Sequence, residues 1–176
     1  VLGAEVPEIK AKATKAGYYT AFSQPTPLAR DGVSRVGRRL LIFVRLPGIP
    51  TEISSYGDAS CSYLMHSGRW VECFIPAADG SKQFGAANLY GYAGASTDNQ
   101  LRKLNETLLE YALARMAAFY DIPYYLSMDM NVDPETWQVT NNARRDGMAY
   151  DIFLDWTANS ERPLGTYKAG GVDHRM

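Results

Sequence analysis

Histidine and cysteine are scarce in this 176-residue chain, with two of each. Cys61 and Cys73 lack metal-ligand spacing, and two cysteines cannot form a disulfide framework. They read as reduced core thiols, or as one bond if their segments pair as strands. His66 is expected in a turn beside Gly68, which leaves His174 as the histidine for proton chemistry. Long apolar runs are missing too. None approaches the roughly 20 residues that span a bilayer. Charge of one sign is also absent, since 18 Lys and Arg stand against 19 Asp and Glu. A net charge of −1 creates no global field to recruit nucleic acid or an anionic membrane. The opening "VLGAEVPEIKAKATKAGYY" has no initiator Met and no basic-then-apolar signal pattern. It reads as a start in mid-sequence, and an intracellular location is expected.

What is present points to a globular domain rich in strands. Val6, Ile9 and Ala13 recur at helical spacing over residues 4–16, with Gly17 as the stop. "GYYTAFSQP" reads as a strand running into a loop, and "LLIFVRL" as a buried strand ended by Pro47. Between them, Arg30, Arg35, Arg38 and Arg39 mark a basic loop. "CSYLMHS" and "WVECFIP" read as hairpin-linked or adjacent strands, and "FGAANLYGY" as another. Residues 98–120 form the best helix. Thr97 and Gln100 would make its capping box, and Leu101, Leu104, Leu108, Ala112 and Phe119 its apolar stripe. "PYYLSMDMN" and "MAYDIFLDW" are the last strong strands. The expected architecture is α+β: a two-sheet α/β sandwich with helices outside two packed mixed or antiparallel sheets. One domain is expected over residues 1–176.

Polar residues gather at the strand ends: Tyr90 in "NLYGY", Asp129 and Asn131 in "SMDMN", Asp151 in "AYDIFL", Asp173 and His174 in "GVDHRM". Asp and Asn end strands routinely by bonding nearby backbone, which explains any one of them. The set is more informative. Asp129 and Asn131 stand two apart, so a strand would aim both at one face. Asp173 and His174 are neighbours, and a loop after Gly170 and Gly171 could turn them together. Three carboxylates, an amide and a histidine could hold one hard divalent cation and a phosphate.

In this order the motifs resemble the endonuclease/exonuclease/phosphatase superfamily, including its retrotransposon-type endonucleases. Asn88-Leu89-Tyr90 is similar to the family's Asn-x-Tyr strand. Met128-Asp129-Met130-Asn131 resembles its Gly-Asp-x-Asn motif, Asp151-Ile152-Phe153-Leu154 its Asp-Tyr-Ile-Leu strand, and Val172-Asp173-His174 its closing Ser-Asp-His. The resemblance implies Mg²⁺, or Mn²⁺, and a nucleic acid or another phosphoester as substrate. It implies that Asp129 orients or deprotonates the attacking water, and that Asn131 and Tyr90 bind the phosphate. His174, oriented by Asp151, would stabilise charge or move a proton, and Asp173 would lie at the metal.

Departures accompany the likeness. The family's first strands carry an Asn and a metal-binding Glu, and this chain is expected to lack them; Glu5 is no substitute. Met128 replaces a Gly, Val172 a Ser or Gly, and Tyr92-Ala93-Gly94 stands where many members have an Asn. The expected functions are therefore a Mg²⁺-dependent endonuclease-like hydrolase, an inactive remnant or binding module of the same fold, or a phosphatase for small or lipid phosphoesters.

Overall fold

The computed structural model describes residues 2–26, 37–45, 51–52, 59–77, 83–119, 121–132, 137–147, 167–169 and 172–174; for 51–52, 167–169 and 172–174 only the backbone is described. The chain divides into two compact units. One holds Val1–Tyr90 and Tyr111–Met128, the other Gly91–Glu110 and Asp129–Met176.

The first unit opens with a 3₁₀ turn, Gly3–Glu5, and helix α1, Val6–Lys15. Pro7 sits in its first turn, where no N–H is missed, and Gly17 at φ 83° stops it as the sequence suggests. Strands β1 (Tyr18–Phe22) and β2 (Leu41–Arg45) form an antiparallel pair. Strand β2 is less covered than its composition implies. Only Val44 is buried, and Phe43 lies exposed on the other face. A strand in a two-stranded sheet with one packed face alternates and is not shielded throughout.

Strands β3 (Thr51–Glu52), β4 (Trp70–Pro76), β5 (Gln83–Tyr90) and β6 (Tyr124–Asp129) make a second sheet in that spatial order. Both of its inner pairings on β4 are antiparallel. Between β5 and β6, Gly85 N–H donates to Pro123 O (2.8 Å) and Gly91 N–H to Asp129 O (2.7 Å). That constant offset is the pattern of parallel neighbours, which require a long crossover. Helix α3, Asn99–Ala117, supplies it. The sheet is therefore mixed, as expected.

The two sheets pack face to face. Ala21 and Val44 meet Val71, Cys73 and Ala86, with Leu40, Ile42 and Ile75 at the margin. Strand β4 alternates: Val71 and Cys73 face this core, while Glu72 and Phe74 point the other way, to Arg115 and Phe119. Both faces are covered, so Trp70, Val71, Glu72 and Cys73 are all buried. Cys61 and Cys73 are both buried.

Three local expectations are corrected. "CSYLMHS" is no strand; it lies in helix α2, Ala59–Ser67. Cys61 and Leu64, three residues apart, are its buried face. His66 sits in its last turn, where Nδ1 lies 2.7 Å from the Ser62 carbonyl. Helix α3 is capped by Asp98, whose Oδ1 accepts the N–H groups of Gln100 (2.8 Å) and Leu101 (3.2 Å). Thr97 instead bonds the Gly94 carbonyl. The buried stripe of α3 is Asn105, Leu108, Leu109, Ala112 and Arg115, and Leu104 is 39% exposed. Polar side chains with internal partners displaced the apolar stripe by one residue.

In the second unit, helix α4 spans Gln138–Arg145, in a region where no element is legible in the sequence. Strands β7 (Tyr167–Ala169) and β8 (Val172–His174) pair antiparallel, so Asp173 and His174 belong to a short strand and not to a loop. The predicted strand "MAYDIFLDW" and Arg30 and Arg35 lie outside the described residues.

Candidate active site

The apolar run "YYL" makes β6 a strand, but not a fully buried one. It is the last strand of its sheet, and Tyr125 and Ser127 are exposed. The strand ends at Asp129 because the carboxylate captures its own chain: Oδ1 accepts the Asn131 N–H at 3.1 Å. Asn131 then turns left-handed, at φ 54°. Few non-glycine residues adopt that region, and Asn is the commonest of them. Asp129 and Asn131 are thus joined through a turn and do not share a strand face, since the period of two stops at residue 130.

Asn131 Nδ2 is buried and has no hydrogen-bond partner among the described residues. An unsatisfied buried donor costs about 1–3 kcal/mol, so it needs an explanation. The turn itself is rigidly held. Gly91 N–H bonds the Asp129 carbonyl, and Asn105 Nδ2 donates to the Met130 carbonyl at 2.7 Å. Asn105 Oδ1 accepts Tyr92 N–H at 2.6 Å. Residue 91 must be glycine: a Cβ there would sit 2.9 Å from the Met130 Cα and 2.8 Å from the Asn105 amide. Asn105 escapes a reading of apolar periodicity. Its one signal is an amide in the middle of a helical face.

Tyr90 ends β5 in the first unit, 39% exposed. Its backbone is held at both ends by Arg69: Tyr90 N–H donates to the Arg69 carbonyl (3.0 Å), and Arg69 Nη1 donates to the Tyr90 carbonyl (3.3 Å). Asp173 pairs with Lys168 in the β7–β8 ladder and His174 with Tyr167. Asp151 lies outside the described residues. Of the predicted set, the structure brings Asp129 and Asn131 together.

The first unit contains a different polar cluster. Glu72 Oε2 accepts Arg115 Nε (3.2 Å) and Trp70 Nε1 (3.4 Å), and Oε1 accepts the Tyr124 hydroxyl. The Glu72 and Arg115 side chains are 1% and 8% exposed. Burial, and then the adjacent Glu72 carboxylate, push the Tyr124 hydroxyl far above the ordinary tyrosine range. Both Glu72 oxygens are thus engaged by cationic and neutral donors.

Among the described residues, no group of three or more His, Cys, Asp and Glu could hold a metal ion. The turn offers the Asp129 carboxylate, a hard oxygen donor of the kind a Mg²⁺ ion accepts. No described helix is long and apolar enough to cross a membrane.

No protein-family model and no curated protein matches the sequence. Among solved structures, the chain is similar to the human Nocturnin catalytic domain with bound sulfate anion, with a TM-score of 0.60 and 14% identity. The match covers 90% of this chain and 60% of that one. At this identity the likeness is one of fold, and it agrees with the packed sheets and mixed strand order described above.

Proposed function

We propose that the chain hydrolyses phosphodiesters in a divalent-metal-dependent, endonuclease-like reaction, with nucleic acid as the leading substrate class. The observation that carries this reading is the turn at the end of β6. It sets a carboxylate beside a buried amide donor that the protein leaves without an acceptor. A phosphoryl oxygen is a fitting acceptor, and a sulfate, its tetrahedral relative, is bound by the Nocturnin domain of similar fold.

In this reading Asp129 takes the proton from the attacking water. The water oxygen bonds phosphorus as the bond to the leaving oxygen breaks. Asn131 Nδ2 donates to a non-bridging oxygen, a role that the sequence resemblance also gives the Tyr90 hydroxyl. The sequence resemblance gives His174, oriented by Asp151, the task of returning a proton at the leaving oxygen. Asp129, with Asp173 as the resemblance suggests, would hold a Mg²⁺ or Mn²⁺ ion, which would supply positive charge to offset that on the phosphate.

The test is incubation of the purified chain with plasmid and with an abasic-site oligonucleotide, in Mg²⁺ and then in EDTA. Cleavage that needs the metal and disappears in Asp129→Ala supports the proposal. Equal backgrounds in all arms sink it. A second reading, a binding module that keeps the fold without catalysis, is favoured by one observation: Asp129 is the only acid that the described part of the turn supplies. In that case Mg²⁺ titration gives no heat and nucleotides still bind. Release of phosphate from small phosphomonoesters or inositol phosphates would redirect the assignment to a phosphatase.

A further inference from the structure

The amide of Asn105 lies outside every motif that marks the site, yet it makes three hydrogen bonds to backbone groups. It is 0% exposed. Its oxygen accepts the Tyr92 N–H (2.6 Å), and its nitrogen donates to the Met130 carbonyl (2.7 Å) and to the Tyr92 carbonyl (3.4 Å). Met130 is the residue between Asp129 and Asn131. One side chain on α3 thus ties the segment after β5 to the segment after β6.

We infer that Asn105 is a positioning residue for the proposed phosphodiester site: it locks the peptide of Met130 so that Asn131 takes its left-handed turn and presents its amide. The inference rests on the reading of Asp129 and Asn131 as the reacting turn. The physical case is one of counting. The strand ladder holds the Asp129 carbonyl through Gly91 N–H, and the Asp129 carboxylate holds Asn131 N–H. The Met130 carbonyl between them is fixed by Asn105 Nδ2. Without that bond the Met130 peptide can rotate, and a left-handed Asn131 loses one of the restraints that hold an uncommon backbone conformation in place. Gly91 is the other half of the device, because any side chain there would occupy the space of the Asn105 amide and the Met130 Cα.

Asn105 also has a required chemical identity. Both an acceptor and a donor are used, in opposite directions. An aspartate of the same shape keeps the bond from Tyr92 N–H but turns an anion toward the Met130 and Tyr92 carbonyls. A leucine fills the space and bonds neither.

The experiment compares Asn105→Asp and Asn105→Leu with Leu108→Ala. Leu108 is buried one turn along the same helix and makes no polar contact with the turn, so its variant controls for lost stability. Amide hydrogen exchange at Tyr92 and Asn131 is read in every variant, together with kcat and KM for metal-dependent cleavage at a temperature where each is folded. The expected result is faster exchange at both amides in the Asn105 variants only. A fall in kcat on the order of tenfold or more, with KM little changed, should accompany it, because small misplacements of reacting groups are expensive. Unchanged exchange and unchanged kcat in a folded Asn105→Asp overturn the inference, as does a loss that Leu108→Ala reproduces. If the unsubstituted chain cleaves nothing and binds no Mg²⁺, the functional reading fails and takes the catalytic role of Asn105 with it. Lost protection in Asn105→Asp would then stand as a structural role alone.

Discussion

Two buried polar clusters solve opposite problems. Around Glu72, a full negative charge is removed from water, and Arg115, Trp70 and Tyr124 satisfy it. Around Asn105, no charge is buried, yet the bonds lead outward to a turn whose own amide donor, Asn131 Nδ2, stays unpaired. A closed network fixes β4, α3 and β6 to one another and turns its bonds inward. An open one spends its bonds on holding backbone and leaves a donor for something else. The difference separates a structural rivet from a candidate binding site, even though both are buried and polar.

The comparison breaks most violently at Arg115. Replacing it with Ala strands the Glu72 charge, and we expect a loss of about 3–5 kcal/mol in urea unfolding. Replacing both Glu72 and Arg115 with Met or Leu should be far milder, since neither charge is then left alone. An additive double variant would mean that the pair is not a unit.

Gly91→Ala comes next. Its Cβ meets the Met130 Cα and the Asn105 amide, so a cost of about 1–3 kcal/mol is expected, with faster exchange at Asn131. A neutral outcome would show that the bracket around the turn is loose.

Tyr124→Phe removes one donor to Glu72 and should cost roughly 1–2 kcal/mol at neutral pH. The pH dependence carries the sharper signature. Tyr124 holds its proton more tightly folded than unfolded, so its contribution is complete below the unfolded value of about 10 and is lost as the pH rises above it. Thermal melts should fall above that pH in the unsubstituted chain and fall less steeply in Tyr124→Phe. Parallel slopes would remove Tyr124 from the alkaline transition.

The smallest stability change should be Asp129→Ala, about 1 kcal/mol for one lost side-chain bond to Asn131 N–H. It should nonetheless lower metal-dependent cleavage by about 10²–10⁴-fold, the worth of a positioned proton acceptor. The inversion of rank between stability and activity is what distinguishes the open cluster from the closed one. A large stability loss with unchanged cleavage would assign the turn a structural role.

Elements with a clear local cause were legible from residues alone. The α1 stop at Gly17, strand β5 and the span of the long α3 follow from spacing and stop signals. "CSYLMHS" was not legible, because seven residues of mixed polarity fit either period, and the packing of Cys61 and Leu64 decides for helix. The stripe on α3 was misplaced for a related reason. Periodicity ranks Asn105 and Arg115 as outward, and only their partners on β4 and in the Met130 turn bring them inside.

Sequence by itself determined the order of chemistry along the chain: a Tyr at the end of one strand, an Asp-x-Asn at the end of the next, and a long helix between them. Such features are local, written in caps, turns and strand ends. Tertiary structure decided which polar groups are satisfied. Glu72 finds Arg115 across 43 residues of sequence, and Asn105 finds Met130 across 25. Hydrogen-bond satisfaction is a property of neighbours in space, so neither the closed charge around Glu72 nor the open amide at Asn131 could be read before the chain was folded.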